Sequence, residues 1–200
     1  MHDLFSRWRR RATRGLGCAA GLWAVAAAGP AAAQPLPEGY LCCNMRSDGA
    51  WISDSNYAES GKYTVPMGTP VKVTGYGRHR VLVEIDGKPQ AIGNDYSRDI
   101  ALPDFARRYV VRDNPAERMA GYPERIQRAI ATSRVTRGMD REQVLMALGY
   151  PISSETPHLD ARVWHYWLWT FSPFKLHFDQ RGLLSHVDTD ADTRRRVVMD

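Results

Sequence analysis

Residues 138–151 constrain the fold most, because they hold a helix start, an apolar helix face and a helix stop in one short segment. Asp140 and Gln143 stand three residues apart, which is the spacing of a capping box at a helix N-terminus. Gly149 and Pro151 are typical of residues that end a helix. Between these signals, three apolar residues recur at helical spacing: Val144, Leu145 and Leu148. The pattern predicts one capped helix with a buried apolar face.

An alternating pattern of apolar and polar residues follows this helix. Phe174, Leu176 and Phe178 fall on one face of an extended chain, whereas Lys175 and His177 fall on the other. This period predicts a strand with one buried face. Together with its apolar neighbours it predicts an antiparallel meander sheet. The three predicted strands cover residues 163–170, 174–178 and 183–187.

A second helix is predicted before residue 138. Pro123 suits a first helical turn, and Ile126, Ala129 and Ile130 recur at helical spacing. Two helices would then cover one face of the three-stranded sheet. We therefore expect an α+β domain at residues 115–190, followed by a C-terminal tail at residues 191–200.

The first of these strands is apolar and aromatic on both faces. Trp164, Tyr166 and Leu168 lie on one face, and four residues lie on the other: Val163, His165, Trp167 and Trp169. Only one face can pack against the helices. The other needs a further partner, which can be the N-terminal part of the chain, a second chain or an external molecule. Three candidate binding residues follow from this surplus of apolar surface: His165, Trp167 and Trp169.

Three motifs in this half of the chain resemble the SmpA/OmlA family, the BamE-like small envelope proteins. The family signature is a Gly-Met-(Thr/Ser)-x-x-x-Val-x-x-x-Leu-Gly-x-Pro helix followed by Trp-x-Tyr and Phe-Asp-x-x-Gly strands. Here these motifs begin at Gly138, Trp164 and Phe178, and the similarity covers about residues 122–188. The resemblance implies a non-enzymatic role in outer-membrane integrity and the assembly of β-barrel proteins, with peripheral association with the outer membrane.

The N-terminus has the layout of a secretory signal peptide. Five arginines, from Arg7 to Arg14, precede an apolar run at residues 15–28, and Ala31-Ala32-Ala33 forms a small-residue cleavage site. We expect a signal peptide at residues 1–33 and a periplasmic mature protein; the alternative is a retained membrane anchor. The consecutive arginines also hint at twin-arginine export. Cys42 follows Tyr40 and Leu41 instead of a lipobox, which departs from the lipoprotein members of the family.

The positive net charge belongs mostly to this leader. The chain has 27 Lys and Arg against 22 Asp and Glu. Residues 1–33 hold five of the basic residues and one acidic residue, which leaves 22 basic and 21 acidic residues in the mature chain. A nearly neutral chain lacks the broad positive surface of a nucleic-acid-binding protein, so we exclude that class of partner.

The mature chain keeps two adjacent cysteines, Cys42 and Cys43. In an oxidising compartment they can form a vicinal disulfide, link two chains or pair with a small thiol; otherwise they are half-buried thiols at the first strand. Redox enzymes commonly use two cysteines separated by two residues, and that spacer is missing here. We therefore predict a structural role for this pair.

Residues 34–114 have the pattern of a β domain. Val71 and Val73 alternate with polar residues, as do Val81, Val83 and Ile85, and the second run ends at Asp86-Gly87, a favoured hairpin turn. A further short strand is predicted around residues 91–93. Several short strands joined by glycine-rich turns predict a small SH3-like barrel or a curled sheet.

Two polar and aromatic segments of this domain can line a groove. Residues 94–98 contribute Asp95 and Tyr96, although turn formation alone also explains the polar residues of this loop. The other segment contributes Trp51, Asp54, Asn56 and Tyr57. Such a mixture suits contact with a peptide or a glycan, so peptidoglycan is a candidate ligand. The proposed binding residues are Trp51, Tyr57, Asp95 and Tyr96.

Metal and cofactor chemistry has little support. His165, His177 and His186 fall on three neighbouring predicted strands, and imidazoles suit zinc or copper. No acidic or cysteine ligand stands at a matching position, so we assign neither a metal nor a cofactor. No hydrolase, phosphate-loop or metalloprotease motif is present in the sequence. The sequence therefore favours a periplasmic interaction or assembly factor, then a cell-wall binding module, and last a redox or metal enzyme.

Overall fold

The computed structural model describes residues 35–200, and the predicted leader at residues 1–33 lies outside that range. The described residues have an α+β fold with an eight-stranded curled sheet, a separate three-stranded sheet and five helices. Each sheet lies against its own hydrophobic core. No helix within residues 35–200 is long and apolar enough to cross a membrane.

The N-terminal sheet has the order β4-β2-β3-β7-β6-β5-β1-β8. Neighbouring strands in this sheet are antiparallel, except that β3 and β7 are parallel. Its strands are β1 (Glu38–Leu41), β2 (Met45–Ser47), β3 (Trp51–Ser53), β4 (Tyr63–Val65), β5 (Pro70–Tyr76), β6 (Arg80–Ile85), β7 (Lys88–Gly93) and β8 (Val110–Val111).

The predicted hairpin in this sheet is confirmed. Val81, Val83 and Ile85 alternate with exposed residues along β6 and are almost fully buried. Asp86 and Gly87 form the two-residue turn to β7, with φ angles of 50° and 70°. Two positive φ values in succession match the right-handed twist of the flanking strands, which is why an Asp-Gly pair is favoured here.

Helix α1 (Leu102–Tyr109) lies within residues 34–114, for which the sequence analysis predicts strands and no helix. Its inner face is formed by Phe105, Ala106 and Tyr109, which pack into the core of the eight-stranded sheet. The rings of Phe105 and Tyr109 are 4.8 Å apart. The spacing of these two aromatic residues is one helical turn, so the apolar residues of the segment were a helix signal.

The predicted meander sheet is confirmed. Its strands are β9 (Val163–Trp167), β10 (Pro173–Phe178) and β11 (Leu184–Asp188), in the order β11-β10-β9 and all antiparallel. Strand β9 ends three residues earlier than expected. The register places Phe174 opposite Tyr166 and Leu176 opposite Trp164. All four side chains are buried, so the core face of the sheet is the predicted one.

Residues 115–200 contain four helices, whereas the sequence analysis expected two. The helices are α2 (Pro115–Met119), α3 (Glu124–Ala131), α4 (Arg141–Leu148) and α5 (Ala191–Val197). The two extra helices are short and begin after capping side chains, Asn114 for α2 and Asp190 for α5. Helix α5 occupies the segment that we expected to be a tail.

The capping box of α4 is confirmed. The Gln143 backbone N–H donates to the Asp140 carboxylate at 2.8 Å, and the Gln143 side chain accepts from the Asp140 backbone N–H at 3.0 Å. On the helix, Val144 and Leu148 are buried and Leu145 is half-buried. They share one hydrophobic core with the three-stranded sheet.

Two buried asparagines connect the two cores. Asn44 donates through its side chain to the Ile130 carbonyl at 2.6 Å and accepts from the Met67 N–H at 3.0 Å. Asn56 donates to the Leu148 carbonyl at 2.8 Å and to the Asn44 carbonyl at 3.0 Å. Pro35–Asp200 accordingly packs as one compact unit. Asn56 is thus a buried structural residue, although the sequence placed it beside a groove.

Candidate functional site

Two predicted binding residues of β9, His165 and Trp167, lie beside Glu155 in the turn that follows α4. The indole N–H of Trp167 donates to Glu155 Oε2 at 3.2 Å. The Nδ1 atom of His165 lies 3.7 Å from the same oxygen. One carboxylate therefore contacts two predicted binding residues of β9 and fixes the polar edge of the Trp167 ring.

Tyr57 and Tyr96 form the second part of this region. Their ring centroids are 6.3 Å apart and the rings are tilted by 47°. Burial raises the pKa of Tyr57 to about 12, with further contributions from the Tyr96 hydroxyl and the charge of Glu155. The Tyr57 hydroxyl consequently stays protonated at neutral pH. It can form hydrogen bonds with a ligand, but it is not poised to act as a base.

Asp54 shapes the loop that carries Asp95 and Tyr96. Its buried carboxylate accepts the backbone N–H of Tyr96 at 3.0 Å and that of Asp95 at 3.4 Å. Burial raises the pKa of Asp54, and these two hydrogen bonds oppose that effect. Asp54 therefore positions the loop and is not itself open to a ligand.

The raised pKa of Asp54 leads to a pH-dependent prediction for Asp54→Asn. At pH values between the ordinary pKa of an aspartate and the raised pKa of Asp54, the folded protein keeps a proton on Asp54 that the unfolded chain has lost. The contribution of Asp54 to stability therefore falls as the pH rises. Asparagine keeps an acceptor oxygen and does not titrate. We expect the variant to gain stability relative to the wild type as the pH rises through the acidic range above the ordinary aspartate pKa of about 4. Thermal melts across this range measure it, and a constant difference would contradict the assignment.

The loop at residues 94–99 is attached to the turn that holds Glu155. The Ser153 N–H donates to the Ser97 hydroxyl at 3.2 Å, and the Ser153 hydroxyl donates to the Asp99 carboxylate. Thr156, in the same turn, accepts the His165 N–H at 3.0 Å. We call the resulting region the Glu155 surface. It comprises Tyr57, Asp95, Tyr96, Glu155, His165 and Trp167.

Trp51 lies beside this surface but is already covered. The guanidinium carbon of Arg80 is 4.2 Å from the centre of the indole, which is a cation–π distance. The ring also contacts Gly93, where a Cβ atom would lie only 2.1 Å from the indole and 2.6 Å from the Asp95 carboxylate. Glycine is therefore required at position 93 to admit the Trp51 ring.

Trp169 is also partly covered, because the guanidinium carbon of Arg196 lies 5.0 Å from its ring centre. Phe171, at the tip of the turn from β9 to β10, is 88% exposed. Trp167 is half-buried on the face opposite the core. Trp167 and the exposed Phe171, four residues further along the chain, are thus the candidates for an open aromatic surface, and Phe171 was not among the predicted site residues.

The three strand histidines do not converge. His177 and His186 are cross-strand neighbours whose ring centres are 5.5 Å apart, but His165 stands opposite Lys175. Within residues 35–200, no group of three His, Cys, Asp or Glu side chains could hold a metal ion. The assignment of no metal and no cofactor stays a prediction.

Cys42 and Cys43 are joined in a vicinal disulfide directly after β1. Cys43 is fully buried and belongs to the core of the eight-stranded sheet. The backbone N–H of Cys42 donates to the Tyr109 carbonyl at 2.9 Å. This placement fits the structural role that we predict for the pair.

Glu155 and Ser153 are central residues of the site that the sequence analysis missed. Both belong to a short polar run after Pro151, which resembles an ordinary surface turn. Their importance depends on which strand the turn approaches. No local pattern in the sequence carries that information.

Comparisons of the chain with protein-family models, curated proteins and solved structures find no match. The resemblance to the SmpA/OmlA family therefore stays a prediction based on the three motifs.

Proposed function

We propose that the protein is a non-enzymatic interaction or assembly factor of the periplasm that binds an envelope protein through Trp167 and Phe171. The SmpA/OmlA-like motifs support a role in outer-membrane assembly, with peripheral association with that membrane. An SH3-like arrangement of residues 34–114 and an SmpA/OmlA-like arrangement of residues 115–190 are part of this proposal.

The observation that carries the proposal is the position of Trp167. Its ring lies on the face of β9 opposite the core, and its N–H is already bound to Glu155. Tryptophan is the residue type most enriched among those that dominate binding energy at protein interfaces. A ring whose orientation is fixed before binding loses less conformational entropy when a partner covers it.

The charges around Trp167 indicate the chemistry of the partner. Asp95 and Glu155 place carboxylates on the Glu155 surface, and Glu59 lies close enough to influence Tyr57. A partner that presents an apolar side chain beside a lysine or arginine would complement this surface. The acidic rim would then guide association and set the orientation of the complex.

Photo-crosslinking in intact cells tests the proposal. Phe171 is 88% exposed, so a photoreactive phenylalanine analogue can replace it without disturbing the core. We expect one discrete crosslinked envelope protein from position 171. The matched control is Tyr76, an exposed aromatic residue at the end of β5. The proposal fails if position 171 gives no adduct, or if both positions give the same set of adducts.

A second candidate function is peptidoglycan binding. The paired rings of Tyr57 and Tyr96 favour it, because aromatic rings beside the Asp95 carboxylate suit a glycan or a short peptide. Trp51 would extend this contact if Arg80 moved away from its ring. A redox or metal enzyme ranks third, since Cys43 is fully buried and the three strand histidines do not converge.

A further inference from the structure

A cavity of about 370 Å³ lies at the outer edge of β11, away from the Glu155 surface. Three elements besides β11 contribute arginines to it: Arg125 from α3, Arg137 from the segment before α4, and Arg194 from α5. Val198 and Met199, which follow α5 and are half-buried, supply an apolar part of its wall. Typical ligand sites have volumes of about 300–1,000 Å³, so the cavity is large enough for a small molecule.

The positive charge of this cavity is poorly neutralised. Arg194 lies 3.6 Å from the Asp200 carboxylate, which also lines the cavity. Within the described part of the chain, Arg125 and Arg137 take part in no salt bridge. Two nearby acids are engaged elsewhere, because Glu124 lies 3.9 Å from Arg128 and Asp192 contacts Arg195. Three arginines therefore line one cavity, and Asp200 is the acidic residue among its lining residues.

Guanidinium groups match the geometry of phosphate oxygens, because their planar N–H groups donate two parallel hydrogen bonds. Three of them around one cavity favour an anion that carries more than one negative charge. The exposed ring of His186, at the same cavity, can add a further donor. A single phosphate group occupies only part of the volume, so the site has room for a carrier group beside Val198 and Met199.

We propose that this cavity binds a phosphate or diphosphate group, either free or carried on a sugar. Arg125, Arg137 and Arg194 hold the phosphate oxygens, and the apolar wall contacts the carrier. In the absence of a ligand, the Asp200 carboxylate pairs with the Arg194 guanidinium. Asp200 therefore competes with a phosphate for this arginine. The site is independent of the Glu155 surface, and its test does not depend on the proposed function.

Calorimetric titration of the full chain at low ionic strength tests this site, with inorganic phosphate, inorganic diphosphate and a hexose phosphate as probes. We expect binding that weakens as salt is added. Arg137→Gln should weaken binding by about tenfold or more, since a hydrogen bond to a charged group contributes about 1.5–3 kcal/mol. Asp200→Asn should strengthen binding, because it removes the competing carboxylate. Tighter binding of the hexose phosphate than of free phosphate would identify a sugar as the carrier group.

The matched control is Arg78→Gln, which removes an exposed arginine in the turn between β5 and β6. Its affinity should equal that of the wild type. Equal weakening by Arg78→Gln and Arg137→Gln would show a general charge effect and overturn the site, as would the absence of binding for all three probes. Citrate binding as tight as diphosphate binding would overturn the assignment to phosphate. Thermal melts check that each variant is as stable as the wild type. If Arg137→Gln lowers stability, titration of Arg125→Gln provides a second test.

Discussion

Leu148→Ala is expected to lower the free energy of unfolding by about 2–5 kcal/mol, the range for a buried leucine truncated to alanine. Leu148 is the last residue of α4 and only 5% exposed. Its side chain belongs to the core between the helices and the three-stranded sheet. Its carbonyl accepts from the Asn56 side chain at 2.8 Å, which limits how far the helix end can move to fill the cavity.

Urea unfolding of the full chain, followed by tryptophan fluorescence, measures this effect. The matched control is Leu145→Ala, which removes the same atoms from the same helix at a half-buried position. The control should lose clearly less stability, because less of the Leu145 side chain is removed from water. Equal midpoints for Leu148→Ala and the wild type would contradict the packing of α4 on the sheet.

The elements predicted correctly from the sequence are those with local signals. The capping box fixes the start of α4 through two residues three positions apart, and the alternation along β10 fixes its buried face. The Asp86-Gly87 turn fixes the hairpin of β6 and β7 in the same way. Each signal lies within a few residues of the feature that it determines, so no knowledge of the tertiary structure is needed.

The elements that sequence reasoning missed depend on distant contacts. Helices α1 and α5 have eight and seven residues, and helices this short are stabilised mainly by packing. The links made by Asn44 and Asn56 join residues that are 86 and 92 positions apart. A polar residue in a loop gives no sign of such a partner. These links explain why two patterns that read as separate domains form one compact unit.

The candidate site shows the same division between local and distant information. Strand alternation assigned Trp167 to the face opposite Trp164, and the structure has Trp164 fully buried and Trp167 half-buried. The sequence did not show that Glu155 holds the indole N–H, or that Arg196 lies over Trp169. The first fact orients the proposed anchor, and the second reduces the aromatic surface that a partner can cover.

Trp167→Glu is expected to abolish crosslinking from position 171 to the envelope protein while leaving the thermal midpoint nearly unchanged. The substitution removes the aromatic ring and places a second carboxylate beside Glu155, so a partner would have to cover two like charges. Trp167 lies outside the core, so folding does not require its ring. The matched control is Tyr76→Glu, the same kind of change at the exposed aromatic residue that ends β5.

The same variant separates protein binding from peptidoglycan binding. If the Glu155 surface binds a protein through Trp167, sedimentation with purified peptidoglycan should be absent for wild type and variant alike. If the protein binds peptidoglycan instead, both the wild type and Trp167→Glu should sediment with it. Tyr57→Ala or Trp51→Ala should then abolish sedimentation, because the Tyr57–Tyr96 pair and the adjoining Trp51 ring form the contact. Unfolding by Trp167→Glu would show that the ring belongs to the core and would remove the basis for a protein partner on this face.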